Sequence, residues 1–446
     1  MASHIIDSEL FGAAFAPQDI AEIFTDQSRV QKWFDIEAAL AEAQAELGII
    51  PAAAAKEIRA KAKAELVDFA EIAAGIAHTG HLIVPALRAL EEICEGDAGE
   101  YIHYGATTQD IMDTAMVLQV KEAWAIMIGD LAAIRTALAA QAKQHRGTVM
   151  VGRTHGQHAL PITYGYKLAV WVDEIDRHLE RAAEAEKRIF TGNVTGAVGT
   201  MASFGEQGIE MQRLTLEKLG LAAPNICWHS ARDRVVEIAF LLTQFAGTMG
   251  KIAREVFALQ KTEVGELREP FHMGKVGSST MPHKQNPSVS ELSIALARLV
   301  RGMMLPLTDA LFHEDERDAG LLRIELAAVP ELVIYTGAIL DRMRFVVEGM
   351  EARPERMAAN ADLLGGLLLS ERVMLALGEA IGKQTAHEVV YEVAMKSQEE
   401  GVPFRAALGA DERVSAHLDA AAIEELLDPA GYIGLAPEIV DGVVAK

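Results

Sequence analysis

Apolar residues recur at helical spacing along most of this chain. Over residues 30–47, Trp33, Phe34, Ile36, Leu40, Ala43 and Leu47 line one face, and Gly48 with Pro51 supplies the stop. Shorter helices fit residues 52–64 and 67–76. Five long helical patterns follow, at 109–144, 164–189, 232–264, 288–307 and 322–350, and the first holds one glycine and no proline. Such lengths exceed the average globular helix and predict a bundle. Gly- and Pro-containing segments interrupt the pattern at 151–163, 192–205 and 274–291. Short polar motifs therefore sit at the ends of apolar rods, as expected where a bundle supplies rigidity and its ends supply chemistry. The expected fold is all-α. It divides into an N-terminal helical domain (1–104), a central long-helix bundle (105–350) and a smaller C-terminal helical domain (351–446), with Arg353-Pro354 at the last boundary.

Composition narrows the picture. At 446 residues, with 50% hydrophobic but only 6% aromatic content, the chain suits large aliphatic helix packing. A formal charge of −23 argues against nucleic acid or an anionic membrane as the main partner, although a local pocket can still attract an anionic substrate. Cys94 and Cys227 lack CxxC spacing, so neither a disulfide framework nor a zinc site is indicated, and a reduced, cytoplasmic location fits. The start MASHIIDSELFG lacks the basic and apolar regions of a signal peptide, and no run reads as long enough to span a bilayer.

The segment GKVGSSTMPHKQNPSVSE at 274–291 carries the densest chemistry. Gly274 and Gly277 let backbone N–H groups turn inward, Ser278, Ser279 and Thr280 add hydroxyls, Lys284 is a compact cation and Asn286 a neutral donor. The helix expected from 288 would place its N-terminus beside them. A solvated Gly/Ser linker is the plain alternative, but a linker has no need of Met281-Pro-His-Lys-Gln-Asn-Pro in fixed order. Histidines at i, i+3, His78/His81 and His155/His158, have possible metal spacing, but no Cys or ExxH frame accompanies them, and no metal is expected. Arg153, Gln157 and Lys167 suit a substrate carboxylate or structural ion pairs equally. Arg232 and Arg234 suit inter-subunit salt bridges as well as substrate contact.

Three dispersed segments, HYGATTQDIMDTA, GRTHGQHALPITYG and GSSTMPHKQNP, resemble in the same order the signatures of the fumarase/aspartase superfamily. The resemblance covers nearly the whole chain. It implies a three-domain helical subunit, a homotetramer with a twenty-helix core, and active sites built from three subunits. It also implies a cofactor-independent anti elimination of fumarate from a succinyl group, or a cycloisomerase variant acting on a muconate. By match, Ser278 is the base, His155 the general acid and Glu291 its orienting carboxylate. Lys284 and Asn286 would stabilise the doubly charged aci-carboxylate. His81, His103, Thr107, Thr108, Thr154, Gln157, Ser279 and Met281 complete the substrate-binding set implied by the resemblance.

Two branches compete. WHSARDR, ERDAG at 316–320 and the DPAGYIG ending resemble the 3-carboxy-cis,cis-muconate cycloisomerase group, whereas His155 and His81 resemble adenylosuccinate lyases. The N-terminal Arg-Tyr that meets a nucleotide phosphate in those lyases is missing, so a non-nucleotide substrate is implied. The preferred reading is C–N cleavage of an N-substituted aspartate, a small dicarboxylate-containing molecule. The alternatives are muconate lactonisation and a non-catalytic helical scaffold.

Overall fold

The computed structural model describes residues 4–272, 274 and 276–445. The chain is mostly helical, and the long rods form where the apolar period predicts them: Asp26–Glu46, Thr108–Gln144, Tyr164–Ile189, Asp233–Leu259, Ser288–Asp309 and Ala319–Gly349. Their ends shift for local reasons. The first rod starts before residue 30 because Thr25 caps it, its hydroxyl accepting from the Ser28 amide at 3.2 Å. The fourth stops at Leu259 rather than 264 because the backbone turns there, with Gly265 at φ 65° and the Glu266 amide donating to Leu259 O at 2.8 Å.

The chain divides into two compact units. The first comprises Met1–Leu131, His178–Gly250 and Ser293–Arg342, and the second Ala132–Arg177, Lys251–Leu292 and Met343–Lys446. In the first, Trp33, Phe34, Ile36, Ile58, Leu87 and Ile111 belong to one buried apolar cluster. In the second, Leu369, Val373, Leu377, Phe404 and Leu408 form another around the C-terminal helices.

The sequence pattern at 151–163 predicts only an interruption between helices, yet the chain pairs there. Strand β1 (Val149–Thr154) runs antiparallel to β2 (Gln157–Thr163), with Thr154 opposite Gln157. His155 and Gly156, at φ 53° and 76°, make a two-residue turn whose left-handed backbone matches the twist of the strands. A bulge between Val151 and Arg153 breaks the alternation that would have disclosed the strands.

Two helices, Thr108–Gln144 and Asp233–Leu259, are by length and composition long and apolar enough to cross a membrane, contrary to the sequence reading. Only 33% of the apolar window of the former is buried within the chain, against 56% for the latter. Much of that apolar surface is therefore not buried within the chain.

Three of the rods meet at one buried cation. Arg232, fully buried, donates bidentately to Asp113 at 2.8 Å and also bonds Glu325, with its Nε to Oε1 distance 2.8 Å. Its guanidinium also lies over the Trp228 ring at 4.9 Å. Arg232 thus pairs within its own chain, and inter-subunit bridging or substrate contact is not its role here. Burial would lower the Arg232 pKa, but the two carboxylates outweigh that and raise it. Burial pushes Glu325 up despite Arg232, as expected where one cation serves two anions. Replacing Arg232 by Met leaves both carboxylates buried without a counter-charge. Urea unfolding should show a loss of about 3–5 kcal/mol; a loss below ~1 kcal/mol would refute the view that this cation holds the rods together.

Candidate active site

The predicted residues fall in two groups, one per unit. In the first unit, Asp110, fully buried near the start of Thr108–Gln144, organises the surroundings. Its carboxylate accepts from the amides of Thr107 (3.0 Å), Thr195 (2.9 Å) and Gly196 (2.9 Å) and pairs with His229 Nε2 at 3.0 Å. One side chain thereby fixes the helix start and the 193–196 loop together. Arg317 closes the arrangement from ERDAG, donating to Thr107 Oγ1 (3.0 Å), Gln109 Oε1 (3.1 Å) and Ala197 O (2.7 Å). Thr108 Oγ1 lies 3.5 Å from His81 Nε2, while His81 Nδ1 accepts from the Val84 amide at 3.3 Å. His81, Thr107 and Thr108 are therefore brought together.

His103 is held separately, by a carboxylate the sequence reading passed over. Glu37, 1% exposed, accepts from the His103 amide at 2.9 Å and lies 2.7 Å from its Nδ1. The same bonds support a backbone at φ 58°, costly for a non-glycine residue. Burial alone would lower the His103 pKa, but the hydrogen bond and charge of Glu37 outweigh it and raise it above the ordinary value.

In the second unit, Thr154, His155 and Gln157 sit exposed at the tip of the β1–β2 hairpin. Arg153, one residue back, turns away from that role. It forms a two-pronged pair with Glu266 at 2.7 and 2.9 Å, and Asn360 donates to the same buried carboxylate at 2.7 Å. Lys167 likewise pairs with Glu255 at 2.6 Å, so both cations are structural.

Along the loop before Ser288–Asp309, the amides of Thr280 and Met281 donate to Ser278 Oγ at 3.3 and 3.0 Å. Gly277 is required there, because a Cβ would overlap the Lys284 carbonyl. Ser279, Met281 and Lys284 are exposed, and Asn286 is half-buried. The helix N-terminus adjoins the loop as expected, but it is not free. Glu269, nearly fully buried, accepts from the Val289 amide (3.1 Å), the Ser290 amide (2.9 Å) and the Ser290 hydroxyl (2.9 Å). Glu291 is exposed in the first helical turn. Among the described residues, the side chains of His155, Gln157, Lys284, Asn286 and Glu291 make no hydrogen bond or ion pair. Their polar ends are thus open to a ligand or another subunit.

The family model described as "Lyase" matches residues 15–302, and that described as "Adenylosuccinate lyase C-terminus" matches 366–443. The N-acetyl-S-(2-succino)cysteine lyase of Dickeya dadantii is 45% identical, covering 100% of this chain and 98% of its own. The 3-carboxy-cis,cis-muconate cycloisomerase of Pseudomonas aeruginosa is 40% identical over 100% of this chain and 97% of its own. The crystal structure of a fumarate lyase from Mesorhizobium sp. BNC1 superposes with a TM-score of 0.91 at 39% identity, covering 97% of this chain and 98% of that one. The chain belongs to the fumarate lyase (fumarase/aspartase) superfamily.

A raised His103 pKa has a defined consequence for stability. The protonated ring stabilises the fold fully below the ordinary histidine value, and that contribution is lost as pH rises through the raised one. NMR titration of the ring should place its midpoint above 6.5, and Glu37→Gln should bring it down. An unchanged midpoint in the variant would show that Glu37 does not set the charge.

Proposed function

We propose that the protein is a cofactor-independent lyase releasing fumarate from a substituted succinate, with an S-linked succinyl thioether as its preferred class of substrate. The observation that carries the reading is the 45% identity, over the full length, with an enzyme named for S-(2-succino)cysteine chemistry. C–N cleavage is the second reading, favoured by the match of residues 366–443 to an adenylosuccinate lyase C-terminus. Muconate cycloisomerisation has less support, since the cycloisomerase relative is 40% identical.

In this reading Ser278 takes the proton from the carbon beside a succinyl carboxylate. A serine hydroxyl is a weak acid, and the two loop amides that already donate to its oxygen would stabilise the alkoxide. The electron pair passes into the carboxylate, whose doubly charged aci form Lys284 and Asn286 would hold. Its collapse forms the fumarate double bond and breaks the bond to the leaving atom. His155 would protonate that atom, oriented by Glu291. A thiol ionises near pH 8.5 in water, so sulfur departs with less protonation than an amine requires. The acid is therefore less critical for C–S than for C–N cleavage.

The residues involved lie on separate segments with open polar ends, and apolar side chains such as Val170, Phe240 and Leu305 are exposed on the long rods. Both features support a homotetramer whose sites draw segments from three subunits. Fumarate absorbance should rise when the protein meets N-acetyl-S-(2-succino)cysteine. Ser278→Ala should lower kcat by about 10²–10⁴-fold with assembly intact, whereas His155→Ala should cost less on the thioether than on an N-substituted aspartate. Fumarate from the aspartate alone would overturn the sulfur reading, and muconate loss alone would overturn elimination.

A further inference from the structure

Neither cysteine has a role in the elimination, yet their surroundings differ sharply. Cys94 is half-buried, and burial pushes its thiol up to about 11. Cys227 is likewise half-buried, between Ile226, 78% exposed, and fully buried Trp228. Asn193 Nδ2 approaches Cys227 Sγ at 3.8 Å, and Gly199 packs so closely that a Cβ there would overlap the cysteine side chain. Two residues on, His229 is 1% exposed and anchored through Nε2 to Asp110 at 3.0 Å. Its other ring nitrogen, Nδ1, is buried and makes no well-formed hydrogen bond, while the ring interacts with the Cys227 thiol. The order thiol, imidazole, buried carboxylate is the arrangement that activates a nucleophile: the carboxylate orients the ring and the ring charges the sulfur.

We propose that Cys227, with His229 and Asp110 behind it, is a nucleophilic thiolate site that adds to electron-poor alkenes, fumarate among them. The thiolate Sγ bonds one alkene carbon, and the π electrons move to the neighbouring carbon. That carbon takes the proton from imidazolium Nδ1, leaving an S-(2-succinyl) thioether and a neutral His229. Nothing is oxidised or reduced. Electrostatics agree with the geometry. Burial opposes a Cys227 thiolate, but His229 and Thr195 outweigh it and bring the thiol to about 7, while Asp110 and Cys227 lift His229 to about 9 against burial. Choosing fumarate as electrophile rests on the lyase reading, which makes it the product; the thiolate does not.

The test uses the full chain without substrate. Limiting N-ethylmaleimide followed by peptide mapping should label Cys227 more than about tenfold faster than Cys94 at neutral pH. The Cys227 rate should rise with a midpoint of about 7. Denaturation should abolish the difference, which makes Cys94 an internal control that requires no variant. Equal labelling of the folded chain, or a Cys227 midpoint no lower than that of an ordinary thiol, would overturn the site. Prolonged incubation with added fumarate should yield one adduct of fumarate mass on Cys227 and none in Cys227→Ser. Maleimide labelling without a fumarate adduct would overturn fumarate as the electrophile. Because fumarate is supplied, the result is independent of turnover, and a failed lyase assay would leave it standing.

Discussion

Two charged residues buried near the N-terminal end of the Thr108–Gln144 rod constrain the candidate residues of the first unit. Asp110 offers its carboxylate to three backbone amides and one imidazole, and three residues on Asp113 meets Arg232. Both carboxylates are almost wholly out of water, so each is tolerable only while every partner is present. The loop at 193–196, the His229 ring and the start of the rod must therefore fold as one. Thr107 and Thr108 inherit their positions from that requirement.

The rods were legible because a 3.6-residue apolar period persists over twenty or more positions, and the three signature segments disclosed where chemistry is concentrated. What supports those segments was not legible. Glu37 reaches a residue 66 positions away, Arg317 reaches Gln109 across 208, and Glu266 meets Arg153 across 113. No local spacing encodes such pairs. One signal was available: Glu37 stands in WFDIEAAL with apolar neighbours on both sides, and a lone carboxylate on a buried face needs a partner. The β hairpin is not legible in the sequence because it is short, bulged and glycine-bearing, so its alternation is broken.

The candidate residues of the second unit follow another logic. Around Ser278 the backbone itself supplies the donors, and Gly277 permits the close turn that aims them. The helix that follows would ordinarily present free amides to an anion, but Glu269 takes two of them. In the proposed elimination a carboxylate would therefore look to Lys284, Asn286 and the loop. Among the described residues of the loop, Lys284 carries an exposed cationic side chain.

Glu37 has an effect beyond charge. By binding both the amide and Nδ1 of His103, it ties the ring to the backbone of the same residue and removes its rotation about the side-chain bonds. An anion meeting the opposite nitrogen would find a ring already immobilised, so little rotamer entropy remains to be lost when the two join. Selectivity then becomes a matter of direction: a rigid donor rewards an anion at one position and does not follow it to another.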